Sequence, residues 1–403
     1  MDKRWRLILA LMIAALVVMD GGYAYYKGVT LAGDSAGYSR WANLLISKNY
    51  DIPAYLGDAN FVIPPILYLG WVVVVALCKT AFGDSWTTGL VVMNLLLSVS
   101  TGFMIFSLVH KTTRSLIPPI TAFVLFIACY DIHVWIPQVL SDISFMALST
   151  VIAYFLLSGY AREKRSVWIL SAPVFLSMIA LIYRPTAIPI ITTVIVFYGM
   201  KLFFDDGSAL KRALFARRLF ISLIVLFALV SVAHGFVMRD PSLWPLSFAR
   251  GWIEQLSGEY RQGIVVYARP ETFTAPPVSA FDFTFITVKK FAYYFAIDAK
   301  GFSLAHGIIN YAFFIPAYSL SLVAIASMLS PNSSFSGGSW MTVFVSLLTI
   351  MFYMFFHACQ QIEFDWRYRL PCMPLLILLA AMGMAEIEAR WRRRMEPVSV
   401  MAR

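Results

Sequence analysis

EFDWRYRLPCMPLLILLAAMGM, from Glu363 to Met384, sets a dense charged run hard against an apolar one. Glu363, Asp365, Arg367 and Arg369, with the Tyr368 phenol between the arginines, fall within seven positions and adjoin the apolar stretch Leu370–Met384. Only 13% of the chain is charged, and a charge at bilayer depth is costly unless it is paired or wet. The run is therefore a topological anchor or part of a site at the mouth of a membrane span. Two arginines two residues apart, followed by Pro371, predict an extended or irregular lead-in rather than a helix interior.

The same pattern of apolar run and charged end recurs from Leu7 to Glu386. With 60% hydrophobic residues and a mean hydropathy of +0.74, the expected class is an all-α polytopic membrane protein, a single membrane domain over 1–403. The alternating segments of about ten residues that mark a β-barrel are absent. The net charge of +10 does not point to nucleic acid, because most basic residues sit at the ends of apolar runs, where they orient spans. The four cysteines (Cys78, Cys129, Cys359, Cys372) show no metal or redox spacing. After MDKRWR and Leu7–Met19 no small-x-small cleavage site follows, so an uncleaved first span is expected.

Ten spans are predicted, at about 7–26, 88–109, 116–136, 143–160, 167–183, 186–204, 219–236, 306–329, 340–357 and 370–387. Every second connection is basic: Met1–Arg6, His110–Arg114, Arg162–Arg165, Lys211–Arg218 and Arg390–Arg394. The positive-inside rule then puts both termini in the cytoplasm, with 388–403 a basic cytoplasmic tail. Counting 61–82 as a span would turn the next basic loops outward. Its Pro64-Pro65 and Lys79 suit a helix lying in the outer interface. Two larger segments remain on the outer face, 27–86 and 237–305, so the working surface is expected there.

In the first of them Asp34 precedes Tyr38, Trp41, Leu44 and Leu45, whose spacing predicts an amphipathic interfacial helix. Asp34 is placed to cap that helix and equally to accept a proton from an acceptor hydroxyl. Asp142 begins a later span at the same surface, where an acid suits the helix dipole or supports the same pocket. Arg184, in Tyr183-Arg-Pro185, lies between two apolar runs and can snorkel or hold an oxyanion. Arg367 and Arg369 pose the same choice, since the guanidinium fork matches phosphate oxygens, and Tyr368 lies between them. Lys79 joins them as a candidate phosphate ligand, while Lys289, Lys290 and Lys300 read as interface lysines. His110, His133, His234, His306 and His357 are scattered, and no HExxH, nucleophile elbow, P-loop or GxGxxG occurs. No metal ligand set and no cofactor motif are legible, so a divalent metal is left open.

These islands resemble the GT-C membrane glycosyltransferases, in the protein mannosyltransferase and lipid A aminoarabinose transferase branch. The resemblance rests on GDSAGYSRWANLL with Pro64-Pro-x-x-Tyr68 and Phe82-Gly83, on VLSDISFMAL, on Tyr183-Arg-Pro-Thr-Ala187, and on Arg367-Tyr-Arg-Leu-Pro371-x-x-Pro374. It implies a polyprenyl-phosphate-linked sugar donor, an inverting transfer on the periplasmic face to a glycan, lipid or protein acceptor, and Asp34 as base. It also implies Arg367 or Arg369 beside the donor phosphate. The chain departs from the aminoarabinose enzymes at Ile63, where they carry a lysine. Two other classes stay in view: a lipid or oligosaccharide flippase or transporter, which would place charges and broken helices near the midplane, and an O-antigen polymerase or ligase-like enzyme. The second would use a basic late loop, and 237–305 holds Arg239, Arg250, Arg261 and Arg269.

Overall fold

The structure is a computed structural model that describes residues 3–58, 65–160, 167–204, 208–244, 247–263, 273–298, 302–360 and 366–401. Glu363, Asp365, Ile63, Pro64, the basic run 162–165, Arg269 and Lys300 lie outside the described residues.

Apolar runs can satisfy their own backbone in hydrocarbon only as helices or closed barrels. Helices form here: α1 (Lys3–Lys27), α2 (Gly33–Ser47), α3 (Ile52–Leu56), α4 (Leu69–Phe82), α5 (Trp86–Thr113), α6 (Ile117–Ala128), α7 (Tyr130–His133) and α8 (Asp142–Tyr160). Next come α9 (Val167–Tyr183), α10 (Ile188–Phe204), α11 (Ala209–Arg239), α12 (Ser247–Tyr260), α13 (Ala280–Tyr293), α14 (Leu304–Met328), α15 (Gly337–Gln360) and α16 (Met373–Met401). No strand occurs among the described residues; the extended pairing is an isolated parallel bridge between Thr30 and Gln138.

Seven helical stretches are long and apolar enough to cross a membrane: Arg6–Lys27, Ile66–Thr113, Asp142–Gly159, Ala209–Arg239, Leu304–Met328, Gly337–Cys359 and Arg367–Met395. Ile117–Ala128, Ser171–Tyr183 and Pro185–Lys201 are shorter apolar helices. The all-α membrane class stands, with seven full-length candidates among the described residues where the apolar runs predict ten spans.

One difference has a clear cause. The run expected to span 116–136 breaks at Cys129, whose ψ of 86° leaves the helical region. The break delivers two buried polar residues, Asp131 and His133, to partners on other helices. A ring nitrogen of His133 lies 3.0 Å from the Phe126 carbonyl near the end of α6.

The stretch Ile66–Thr113 is also divided. Gly83, at φ +53°, turns the chain between α4 and α5, a conformation open to glycine at little cost. Gly70 near the start of α4 faces Tyr183 at the end of α9. Lys79 near its other end lies over Trp86 at the start of α5. At fourteen residues α4 measures about 21 Å. It packs beside α2.

The described basic segments gather at one end of the bundle. Asp20 meets Ser98 and Leu16 faces Gly102, so α1 runs antiparallel to α5 and its basic start lies near His110–Arg114. Ser115 bonds Glu388 on α16, and Arg217 donates to the Leu329 carbonyl at 2.9 Å. Helix α16 is the buried axis, with Ile377, Ala380, Ala381 and Met382 fully enclosed. It touches α14 at Gly383, where a Cβ would stand 1.9 Å from the Leu320 carbonyl oxygen. Ile221, Ile224, Leu229 and Phe236 of α11 face outward, as a lipid-facing surface requires. A second, smaller core joins Met238, Ile253, Leu256, Tyr260, Phe283 and Ile286.

Candidate functional site

At the end away from the basic segments, α2 is tied down by its backbone. Thr30 donates to the Pro137 carbonyl at 2.9 Å and accepts from Val139 at 3.1 Å. The amide of Asn94 holds the same segment by donating to the carbonyls of Ile136 and Gln138. Ser35 accepts from the Ala32 amide at 3.0 Å and donates to the Val139 carbonyl at 2.9 Å. Capping of α2 therefore falls to Ser35. Asp34, in the first turn, uses its carboxylate elsewhere.

Asp34 accepts from the Arg367 guanidinium at 3.0 Å. The Asp34 side chain is 50% exposed and that of Arg367 20% exposed, so this pair opens to solvent. The second pair is closed: Arg184 donates to Asp142 at 2.6 Å, with side chains 10% and 3% exposed. Asp142 begins α8 and Arg184 directly follows the last residue of α9, so the pair locks two helix ends together. Burial works against the Arg184 charge, and the Asp142 carboxylate more than offsets it, holding the guanidinium above its usual range.

Two tyrosines join the pairs. The Tyr38 and Tyr68 rings lie 5.8 Å apart, with Trp41 5.9 Å from Tyr38 and Trp71 6.3 Å from it. The charges of Arg184, Asp142 and Asp34 act on Tyr38, and Tyr68 feels these and Arg367 as well. Burial pushes the Tyr38 phenol up, so it stays protonated and can donate. An acid, an arginine and two phenols thus gather beside a cluster of aromatic rings, next to a buried ion pair.

The remaining residues singled out by sequence are elsewhere. Arg369 is fully buried; its Nε and Nη2 reach Asp131 at 2.9 and 2.8 Å, and its Nη1 donates to the Ala296 carbonyl at 2.6 Å. The guanidinium also lies 4.3 Å from the Phe314 ring centroid. Tyr368 stacks on His357 at 5.0 Å, and the Arg367 guanidinium lies 5.4 Å from the Tyr368 ring centre. The two arginines therefore separate, one paired with the exposed Asp34 and one locking the core. Their lead-in is a 3-10 turn, Trp366–Cys372, the irregular form that Pro371 predicts.

Lys79 stands on the far side of α2. Its Nζ donates to Ser39 Oγ at 2.8 Å and Asn43 Oδ1 at 2.7 Å. Ser39 and Asn43 lie roughly opposite Asp34 and Tyr38 on the helical wheel, so α2 divides Lys79 from the Asp34–Arg367 pair. Lys290, read from sequence as an interface lysine, is 2% exposed and donates to Tyr260 at 2.5 Å. Burial lowers its ammonium to about 7.

Sequence reasoning passes over Asp20, Asp131 and His133. Asp20 is fully buried, 2.6 Å from His133 and accepting from Ser98 at 2.9 Å. The legible signal is an acid and a histidine two apart, Asp131-Ile-His133, inside an apolar run. Among the described residues no cluster of three or more His, Cys, Asp or Glu could hold a metal ion. Comparison of the chain with protein-family models, with curated proteins and with solved structures found no match in any of the three.

Proposed function

We propose that this chain is a membrane glycosyltransferase of GT-C type, moving a sugar from a polyprenyl-phosphate donor to an envelope glycan, lipid or protein acceptor on the periplasmic face. The observation that supports this most is the open Asp34–Arg367 pair set before the buried Asp142–Arg184 pair. A donor phosphate would compete with Asp34 for the Arg367 guanidinium, since charge-assisted bonds to phosphate are strong. That exchange would release the carboxylate as donor binds. Asp34 would then take the proton of an acceptor hydroxyl as the oxygen attacks the anomeric carbon and the lipid phosphate departs with its bonding electrons. Arg367 and the Tyr38 and Tyr68 phenols would stabilise the leaving charge. Asp142 acts by fixing Arg184 in this reading, and Arg369 and Tyr368 act by fixing Arg367.

The same reading takes the three shorter apolar helices as spans, giving about ten crossings, with both termini cytoplasmic in a bacterial inner membrane. The convergence of the described basic segments at one end supports it. The test is transfer from a synthetic polyprenyl-phosphate sugar by purified protein and its Asp34→Ala variant. Activity retained in a folded Asp34→Ala protein would sink the assignment.

The break at Cys129, with buried Asp20–His133 and Asp131–Arg369 pairs beside it, favours a second reading as a lipid or oligosaccharide transporter. A deletion strain separates the two. Glycolipids or polysaccharides lacking a single sugar support transfer, whereas accumulation of a complete, unflipped precursor supports transport.

A further inference from the structure

At the basic end of the bundle, α5, α15 and α16 border an open cavity of about 280 Å³. Its polar lining includes Arg114, Ser115, Ser336, Ser339, Glu388 and Arg392, over a floor of Phe335, Ala385 and Ala389. The outer-face chemistry makes no use of it.

The charges around it are unequally satisfied. Glu388 is 8% exposed, and its two oxygens accept from Ser115 at 2.7 Å while Arg392 donates at 2.5 Å. That carboxylate is neutralised where it stands. Glu386 beneath it accepts from Ser334 and from Arg390 at 2.8 Å. Arg114, by contrast, lines the cavity with no side-chain hydrogen bond or ion pair to any described residue. Counting Arg114, Arg390, Arg392 and Arg393 against Glu386 and Glu388 leaves the region positive. Ser336 and Ser339 share one hydrogen bond at 3.1 Å, which leaves one hydroxyl proton to donate.

The backbone adds a second observation. Arg114 caps α5 at φ +53° and ψ 20°, a left-handed position where glycine is the usual residue. That conformation closes the helix, the Arg114 amide donating to the His110 carbonyl at 3.0 Å, and leaves the exposed side chain beside the cavity. Basic pockets between membrane helices on the side where spans carry their positive charge suit anionic lipid head groups.

We propose that this cavity binds a phosphate group, presented by an anionic phospholipid of the facing leaflet. Arg114 and Arg392 hold the phosphate oxygens with the free serine hydroxyl, and the apolar floor receives the glycerol side of the head group. This site is independent of the outer-face reaction.

The test uses the full chain in neutral detergent, titrated with phosphatidylglycerol, phosphatidylcholine or inorganic phosphate, with thermal shift and native mass spectrometry as readouts. Phosphatidylglycerol raises Tm and is retained, and phosphatidylcholine does neither. Arg114→Gly and Arg114→Asn, both suited to the left-handed backbone, weaken retention about tenfold while the lipid-free Tm stays level or rises. Lys211→Gln, at the same end but outside both the lining and this charge cluster, retains lipid as the parent does. Undiminished retention in both Arg114 variants, or equal retention of phosphatidylcholine, overturns the site. A shift by inorganic phosphate that phosphatidylglycerol does not exceed overturns the lipid as its source.

Discussion

Asp34 and Arg367, 333 positions apart in sequence, meet at 3.0 Å at the open end of the bundle. The pair is exposed enough that its contribution to stability is about 0–1 kcal/mol. Its geometry therefore reads as a chemical arrangement more than a structural clamp.

That separation gives the first prediction. If the proposed transfer is right, Asp34→Asn lowers it by about 10²–10⁴-fold, the range removed with a general base. Its unfolding midpoint stays close to the parent's. Initial rates with a lipid-linked donor and a parallel thermal melt measure both. A large loss of Tm would instead make Asp34 a structural residue.

Arg369 behaves in the opposite way. Replacing it with Leu leaves Asp131 buried and unpaired, a change that costs about 3–5 kcal/mol. Removing both charges together, as Arg369→Leu with Asp131→Leu, recovers much of that loss. Denaturant or thermal unfolding of the single and double variants checks the coupling. Additive losses would deny that the pair is coupled.

Lys290 sets a pH dependence. Its ammonium is lowered to about 7 in the fold by burial and regains its ordinary value of 10.5 on unfolding. Between those values the unfolded chain binds the extra proton, so stability rises as pH rises from about 7 towards 10.5. Lys290→Met removes this rise and raises stability at neutral pH, because a buried amine gives way to an apolar chain of similar length. Melting curves across that window, parent against variant, settle it; identical slopes would exclude Lys290.

Gly383 is the contact point of α14 and α16. Gly383→Val forces the two helices apart at the Leu320 carbonyl and costs about 1–3 kcal/mol. Thermal unfolding is again the measure. A variant as stable as the parent would mean the two helices can separate without loss.

Much of this arrangement is written in the chain itself. The long apolar runs can only be helices, because hydrocarbon offers the backbone no other partner. The basic ends of those runs belong together by charge alone. Asp34, Asp142, Arg184 and Arg367 stand out because charges are rare in this chain. Local pattern also places an irregular lead-in at Pro371.

What each charge does is decided only in three dimensions. Arg367 and Arg369 are chemically identical and two residues apart, yet one opens to solvent and the other is sealed against Asp131. Lys79 falls behind α2, and Ser35 displaces Asp34 as the cap. The break at Cys129 follows from partners on α1 and in the turn before α16, which no window of local sequence contains. Hydrophobicity and charge placement act locally and are carried by the chain. Ion pairing depends on which distant side chains share a low-dielectric space, and only packing determines that.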